Sequence, residues 1–105
     1  MGKFIYQESV SVEIEDRALA HLQVVILDKL RRAESFAFSW REDTSIGDGR
    51  TTVWVNAASA LVFKYHGSRS PQLDPDWLEA LASVANSPSG LRLVPQPGPA
   101  NGTNA

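Results

Sequence analysis

Lys64-Tyr65-His66-Gly67-Ser68-Arg69 sets an amine, an imidazole and a guanidinium around one glycine. Groups of this kind hold phosphate oxygens, so Lys64, His66, Gly67 and Arg69 are candidates for binding a nucleotide or a nucleic acid. A second candidate is Gly47-Asp48-Gly49-Arg50-Thr51-Thr52, which offers backbone N–H groups and the Arg50 guanidinium to the same anion. Both have plainer readings. Glycine-rich phosphate loops open helices, whereas this one opens a strand, which favours a hairpin loop. Lys64 and His66 also fit the wet face of a strand, with 67–71 as a loop, and short motifs recur by chance. His21 and His66 are the only histidines, and no spacing brings carboxylates to either, so no metal site is expected. His21 reads as a solvated helix residue. Glu13, Glu15, Asp16, Glu42, Asp43 and Asp48 are carboxylates of strand faces and loops, where solvation is their ordinary state. No Ser-His-Asp arrangement is legible.

The basic side chains Lys29, Arg31, Arg32, Arg41, Arg50, Lys64, Arg69 and Arg92 stand among strand aromatics Trp40, Trp54 and Tyr65. Exposed aromatics beside arginines suit single-stranded nucleic acid. Trp40 reads as core, but Trp54 alternates with Val53 and Val55 and so faces away from them. An exposed Trp54 marks an interface.

These groups are positioned by a chain that reads as two helices and six strands. Residues 3–6 and 10–15 are strands, with Val10, Val12 and Ile14 on one face, joined by a Gln7-Glu8-Ser9 loop that lacks the Asn-Gly of a firm hairpin. Asp16 is the expected N-cap of a helix from Arg17 to Ala33. Leu19, Leu22, Val25, Ile26 and Leu30 are its apolar side, and Val24 and Leu27 widen it beyond one stripe, so they are interface candidates with Trp54. Phe36, Phe38 and Trp40 alternate through strand 35–41; strands 51–56 and 60–66 follow. The short Ala57-Ala58-Ser59 link predicts that these last two are antiparallel neighbours. Asp74-Pro75 opens a second helix, to about Asn86, with N-cap and proline in their preferred places. A short strand spans 91–94. The order ββ-α-βββ-α-β predicts an α+β fold with a mostly antiparallel sheet and two helices packed on one face. Residues 1–94 form the expected single domain, and 95–105 a disordered Pro/Gly/Asn tail.

Two resemblances bear on function. Lys64 to Arg69 is similar to the nucleotidyl-transfer motif of ATP-dependent DNA ligases, Lys-x-Asp-Gly-x-Arg, with His66 at the Asp position. The resemblance implies Lys64 as a nucleophile that carries AMP, with Gly67 and Arg69 matching the motif and ATP and Mg²⁺ as cofactors. It covers six residues, and the later ligase motifs are absent, so a complete ligase is not expected. The second spans nearly the whole chain. Met1 to Tyr6, Lys29-Leu30-Arg31-Arg32 with Glu34 to Trp40, and Ala85 to Arg92 resemble a family of small actinobacterial proteins that carry an ATP-dependent DNA ligase label. It implies a bacterial cytoplasmic setting.

Composition narrows the classes. The chain has 105 residues, no cysteine and a net charge of −2; the lack of cysteine excludes disulfides and thiolate metal sites, and the charge argues against a broad electrostatic grip on nucleic acid while leaving room for a local basic patch. No run is long enough to span a bilayer and no signal peptide is seen. The reading is a non-catalytic cytoplasmic binding module without cofactor, engaging a protein partner or a second copy. The alternative is a nucleotide- or nucleic-acid-binding protein using Lys64, His66, Gly67, Arg69 and Arg50.

Overall fold

The computed structural model describes residues 1–42 and 49–98. Its elements are β1 (Gly2–Tyr6), β2 (Val10–Ile14), α1 (Asp16–Arg31), β3 (Phe36–Arg41), β4 (Arg50–Val55), β5 (Leu61–Lys64), α2 (Pro75–Ala85) and β6 (Leu91–Arg92). The α+β class and the element order are as expected. The β1–β2 hairpin turns through Gln7 and Glu8 at φ of 55° and 64°. That is the left-handed backbone a tight hairpin needs for its twist, reached here without glycine.

The strands form two sheets, in the orders β2-β1-β5 and β4-β3-β6. All pairings are antiparallel except β3 with β6, which is parallel. The expected pairing of β4 with β5 is therefore corrected: they belong to different sheets. The link between them closes on itself. Ser59 N–H donates to Asn56 O at 3.0 Å, Ala58 N–H donates to Asn56 Oδ1 at 2.8 Å, and Asn56 N–H donates to Ser59 Oγ at 3.0 Å. These bonds satisfy the link's polar groups locally and hand the chain from one sheet to the other. Gln7 N–H donates to Ala60 O at 2.8 Å, extending the β1–β5 ladder, and Tyr6 Oη donates to Trp54 O at 2.5 Å, which ties the two sheets at this end.

Burial follows the alternation read from the sequence. Phe36, Phe38, Trp40, Val53 and Val55 are buried. Phe4 of the first sheet meets Phe38 and Trp40 of the second edge-on, at ring-centroid distances of 5.2 and 6.1 Å. Each such buried side chain contributes roughly 1.5–3 kcal/mol, an upper figure because the unfolded chain is already partly compact. Leu19, Leu22 and Ile26 carry α1 onto β1 and α2, while Trp77, Leu81 and Ala85 carry α2 onto β3 and β6.

The two helices start differently. Asp74 caps α2 as expected, its carboxylate accepting from Asp76 N–H at 3.0 Å, with Pro75 in the first turn. In α1 the residue before the helix is Glu15, with no side-chain cap, and Asp16 is already helical. Its carboxylate is used elsewhere. Gly90 (φ +85°) opens β6 where a Cβ would lie 2.6 Å from Ala37 O. Only glycine lets the chain lie this close to β3, so Gly90 permits the parallel pairing.

The chain stays on the domain past the expected boundary at 94. Trp77 Nε1 donates to Val94 O at 2.8 Å, Gln96 Nε2 to Asp74 Oδ2 at 2.8 Å, and Arg17 Nη1 to Gln96 Oε1 at 2.9 Å. The rest of the expected tail, 99–105, lies outside the described residues.

Candidate functional site

Lys64 ends β5 and faces solvent, opposite Lys3 in the ladder. His66, Gly67, Ser68 and Arg69 follow as an exposed loop. The loop is held from below. Asp16 accepts from Gly67 N–H at 2.9 Å and from His66 N–H at 3.2 Å. The Gly67 bond first, then the His66 bond, keep the Asp16 carboxyl below the usual carboxylate range. These two N–H groups are therefore spent on a carboxylate of the same chain. Gly67 and Arg69 line a depression of about 330 Å³ against α1, beside Gln23, Val24 and Leu73. Lys64 and His66 are not among its lining residues. Tyr65 donates to Gln23 Oε1 at 2.5 Å on the same side, and burial pushes its phenol up. Gly67 and Arg69 thus share this depression with Val24, while Lys64, His66 and Arg50 lie outside its lining.

Two side chains read as solvated or surface-basic are buried. His21 is fully buried, which corrects its expected solvated position. Its Nδ1 lies 2.7 Å from Arg17 O and its Nε2 accepts from Asp74 N–H at 2.8 Å. A carbonyl needs a donor and an N–H needs an acceptor, so the ring is neutral with its proton on Nδ1. It lies on Trp77 at 4.4 Å between centroids. Both nitrogens are used, and no group of three potential metal ligands exists among the described residues. Lys29 is also buried, donating to Asn86 Oδ1 at 2.7 Å and to Glu34 Oε1 at 3.2 Å above the Phe36 ring. Arg32 pairs with Asp28 and Glu34. These cations brace the junction of α1, β3 and α2. Residue type alone hides this, but helical spacing from Ala18 through His21, Leu22 and Val25 to Lys29 marks both as inward positions.

Arg31 ends α1, and Arg41, Arg50 and Arg92 gather on the second sheet. Alternation along β4 places Arg50, Thr52 and Trp54 on the face opposite to Val53 and Val55. Register places Arg41 across from Arg50, Ser39 across from Thr52 and Ala37 across from Trp54. Ser39 and Thr52 share a hydrogen bond at 2.8 Å, which fixes them on one side. Arg92 of β6 lies beside Ser39. One sheet face therefore carries three exposed guanidiniums and an indole that is 57% exposed. Val24 and Leu27, the other interface candidates, are 36% and 37% exposed on α1.

Beside this face a cleft of about 900 Å³ runs between β2 and β3. Arg41, Arg50, Arg92, Ser39 and Trp40 line one side and Glu13 the other. The Trp40 indole N–H is buried and has no hydrogen-bond partner among the described residues. Sequence reasoning named Arg50 and Trp54 but not their grouping with Arg41 and Arg92, because that depends on β6 pairing with β3. The Gly47-Asp48 part of the proposed phosphate loop, and the carboxylates of Asp43 and Asp48, lie outside the described residues. Arg50 is in place without them.

No helix among the described residues is long and apolar enough to cross a membrane. Comparison with curated proteins and with solved structures gives no match. A family model does match, over residues 1–96, which takes in every described element and the Gln96 tie. The chain belongs to the family described as the domain of unknown function DUF7882.

Proposed function

We propose that the protein is a non-catalytic binding module that meets a negatively charged partner with the outer face of its second sheet. The observation that carries this is the 57% exposed Trp54 on a face with three guanidiniums and no carboxylate at any of its strand positions. An exposed indole contributes contact area at small entropic cost, and arginines supply charge and orientation, the pairing that dominates binding hot spots. A cytoplasmic setting fits the cysteine-free chain. Titration of the protein with oligo(dT), oligo(U) and polyglutamate, followed by its tryptophan fluorescence, tests the reading. At least one polyanion binds, and the Arg41→Glu/Arg50→Glu double variant weakens it about tenfold or more, as charge reversal at a contact does. Failure of all three to bind, or unchanged binding by the variant, overturns it.

The ligase-like reading of Lys64 has less support. A transferred nucleotide needs donors around its phosphates, and the His66 and Gly67 N–H groups already serve Asp16. Mass spectra of the protein incubated with ATP and Mg²⁺ decide it. The protein stays unmodified under our reading; an AMP adduct that is absent from Lys64→Ala would establish nucleotidyl transfer instead.

A further inference from the structure

The outer face of the second sheet carries more information than its charge. Arg41 and Arg50 stand directly opposite each other in the β3–β4 ladder. Like charges so placed oppose pairing of the strands, and an anion bound between them relieves the repulsion. Among the described residues, no carboxylate forms a salt bridge with Arg41, Arg50 or Arg92. All three line the cleft beside β2. Glu13 is the carboxylate on the far wall, and it stands opposite Lys3 of β1 in its own sheet. The guanidiniums offer donors only. A phosphodiester, whose charged oxygens are acceptors only, complements them.

Trp54 lies four residues along β4 from Arg50, about 14 Å away at the rise of an extended strand. Between them lie the Ser39 and Thr52 hydroxyls, bonded to each other and adding no charge. A ligand that spans this face therefore needs anionic groups at one end and a flat apolar surface for the indole at the other. A peptide of acidic residues alone uses the guanidiniums and leaves the indole idle. A duplex keeps its bases stacked on one another. A single strand offers both, because its bases are free to stack on an aromatic ring while the backbone follows the basic groups.

We infer that this face binds single-stranded nucleic acid, with backbone phosphates on Arg41, Arg50 and Arg92 at the mouth of the cleft and a base stacked on Trp54. The inference rests on the binding-module reading and names the partner of the same surface. Recognition is through backbone and stacking, so it tolerates sequence. Three phosphate contacts on a single strand give a log–log salt slope of about −2.

Fluorescence anisotropy of labelled oligo(dT) and oligo(U) with the full chain tests this, with unlabelled duplex DNA, polyglutamate and inorganic phosphate as competitors. Single strands bind, duplex and polyglutamate compete poorly, and inorganic phosphate competes only at high concentration. Trp54→Ala weakens binding at least about fivefold, the loss expected for one stacked base, and Trp54→Phe recovers part of it. Arg92→Gln flattens the salt slope by about 0.7. These side chains are exposed, so circular dichroism of each variant confirms that folding is kept. If polyglutamate or duplex binds as tightly as a single strand, or Trp54→Ala binds like wild type, the inference fails while the module reading stands. If no polyanion binds, both fail.

Discussion

His21 shows how a side chain read as solvated can be structural. Its ring takes the Asp74 N–H, and Asp74 is the cap of α2, so α1 fixes where α2 begins. His21→Leu keeps the volume and removes the acceptor. The Asp74 N–H is then left without its partner in a partly buried place, and the ring contact with Trp77 is lost. An orphaned buried donor costs about 1–3 kcal/mol. The urea midpoint of His21→Leu therefore falls with an unchanged m-value, since the surface exposed on unfolding is the same. A midpoint equal to wild type would mean that the bond does nothing for stability.

At the scale of elements, the β1–β2 hairpin holds a stabilising change in reserve. Gln7 and Glu8 both sit at positive φ, where a side chain clashes and glycine does not. Glu8 is exposed and makes no side-chain hydrogen bond among the described residues. Glu8→Gly puts glycine at a central position where such turns favour it. Relief of strain exceeds the extra entropy of an unfolded glycine, and the variant gains about 0.5–1 kcal/mol, read as a higher midpoint in thermal unfolding. Elements of this kind were legible because alternation and caps are local. Phe36, Phe38 and Trp40 point inward for the same reason that Trp54 points out. Strand partners were not legible. β4 and β5 part because Asn56 and Ser59 bond to each other, and β6 joins β3 through two residues that Gly90 brings close. The grouping of Arg41, Arg50 and Arg92 inherits that difficulty, since it exists only once those partners are known. His21 and Lys29 were misread for a different reason: their chemical type outweighed a helical position that places both in the core.

Across the whole molecule, three carboxylates tie segments that are distant in sequence. Asp16 holds the loop at His66 and Gly67, Glu34 holds Lys29 and through it Asn86, and Asp74 holds Gln96. Each titrates below the usual carboxylate range. For Asp16 the main cause is the Gly67 N–H, for Glu34 the Arg32 guanidinium, and for Asp74 the Gln96 amide. A carboxyl depressed in the folded state binds fewer protons there than in the unfolded state, so stability rises with pH through that window. Their contribution is complete above the ordinary carboxylate value of about 4 and is lost as pH falls through the lower folded values. Urea midpoints measured downward from neutral pH therefore decline most steeply below about pH 4. Asp16→Asn removes one tie and makes that decline shallower. All three ties lie at the periphery, outside the Phe4–Phe38–Trp40 core, so acid loosens the edges first. Amide exchange at Gly67 and Asp76, whose N–H groups donate to Asp16 and Asp74, accelerates at a higher pH than exchange in β1 or β3, once corrected for intrinsic rates. Simultaneous loss of protection in loops and central strands would show instead that the carboxylate ties and the core open as one unit.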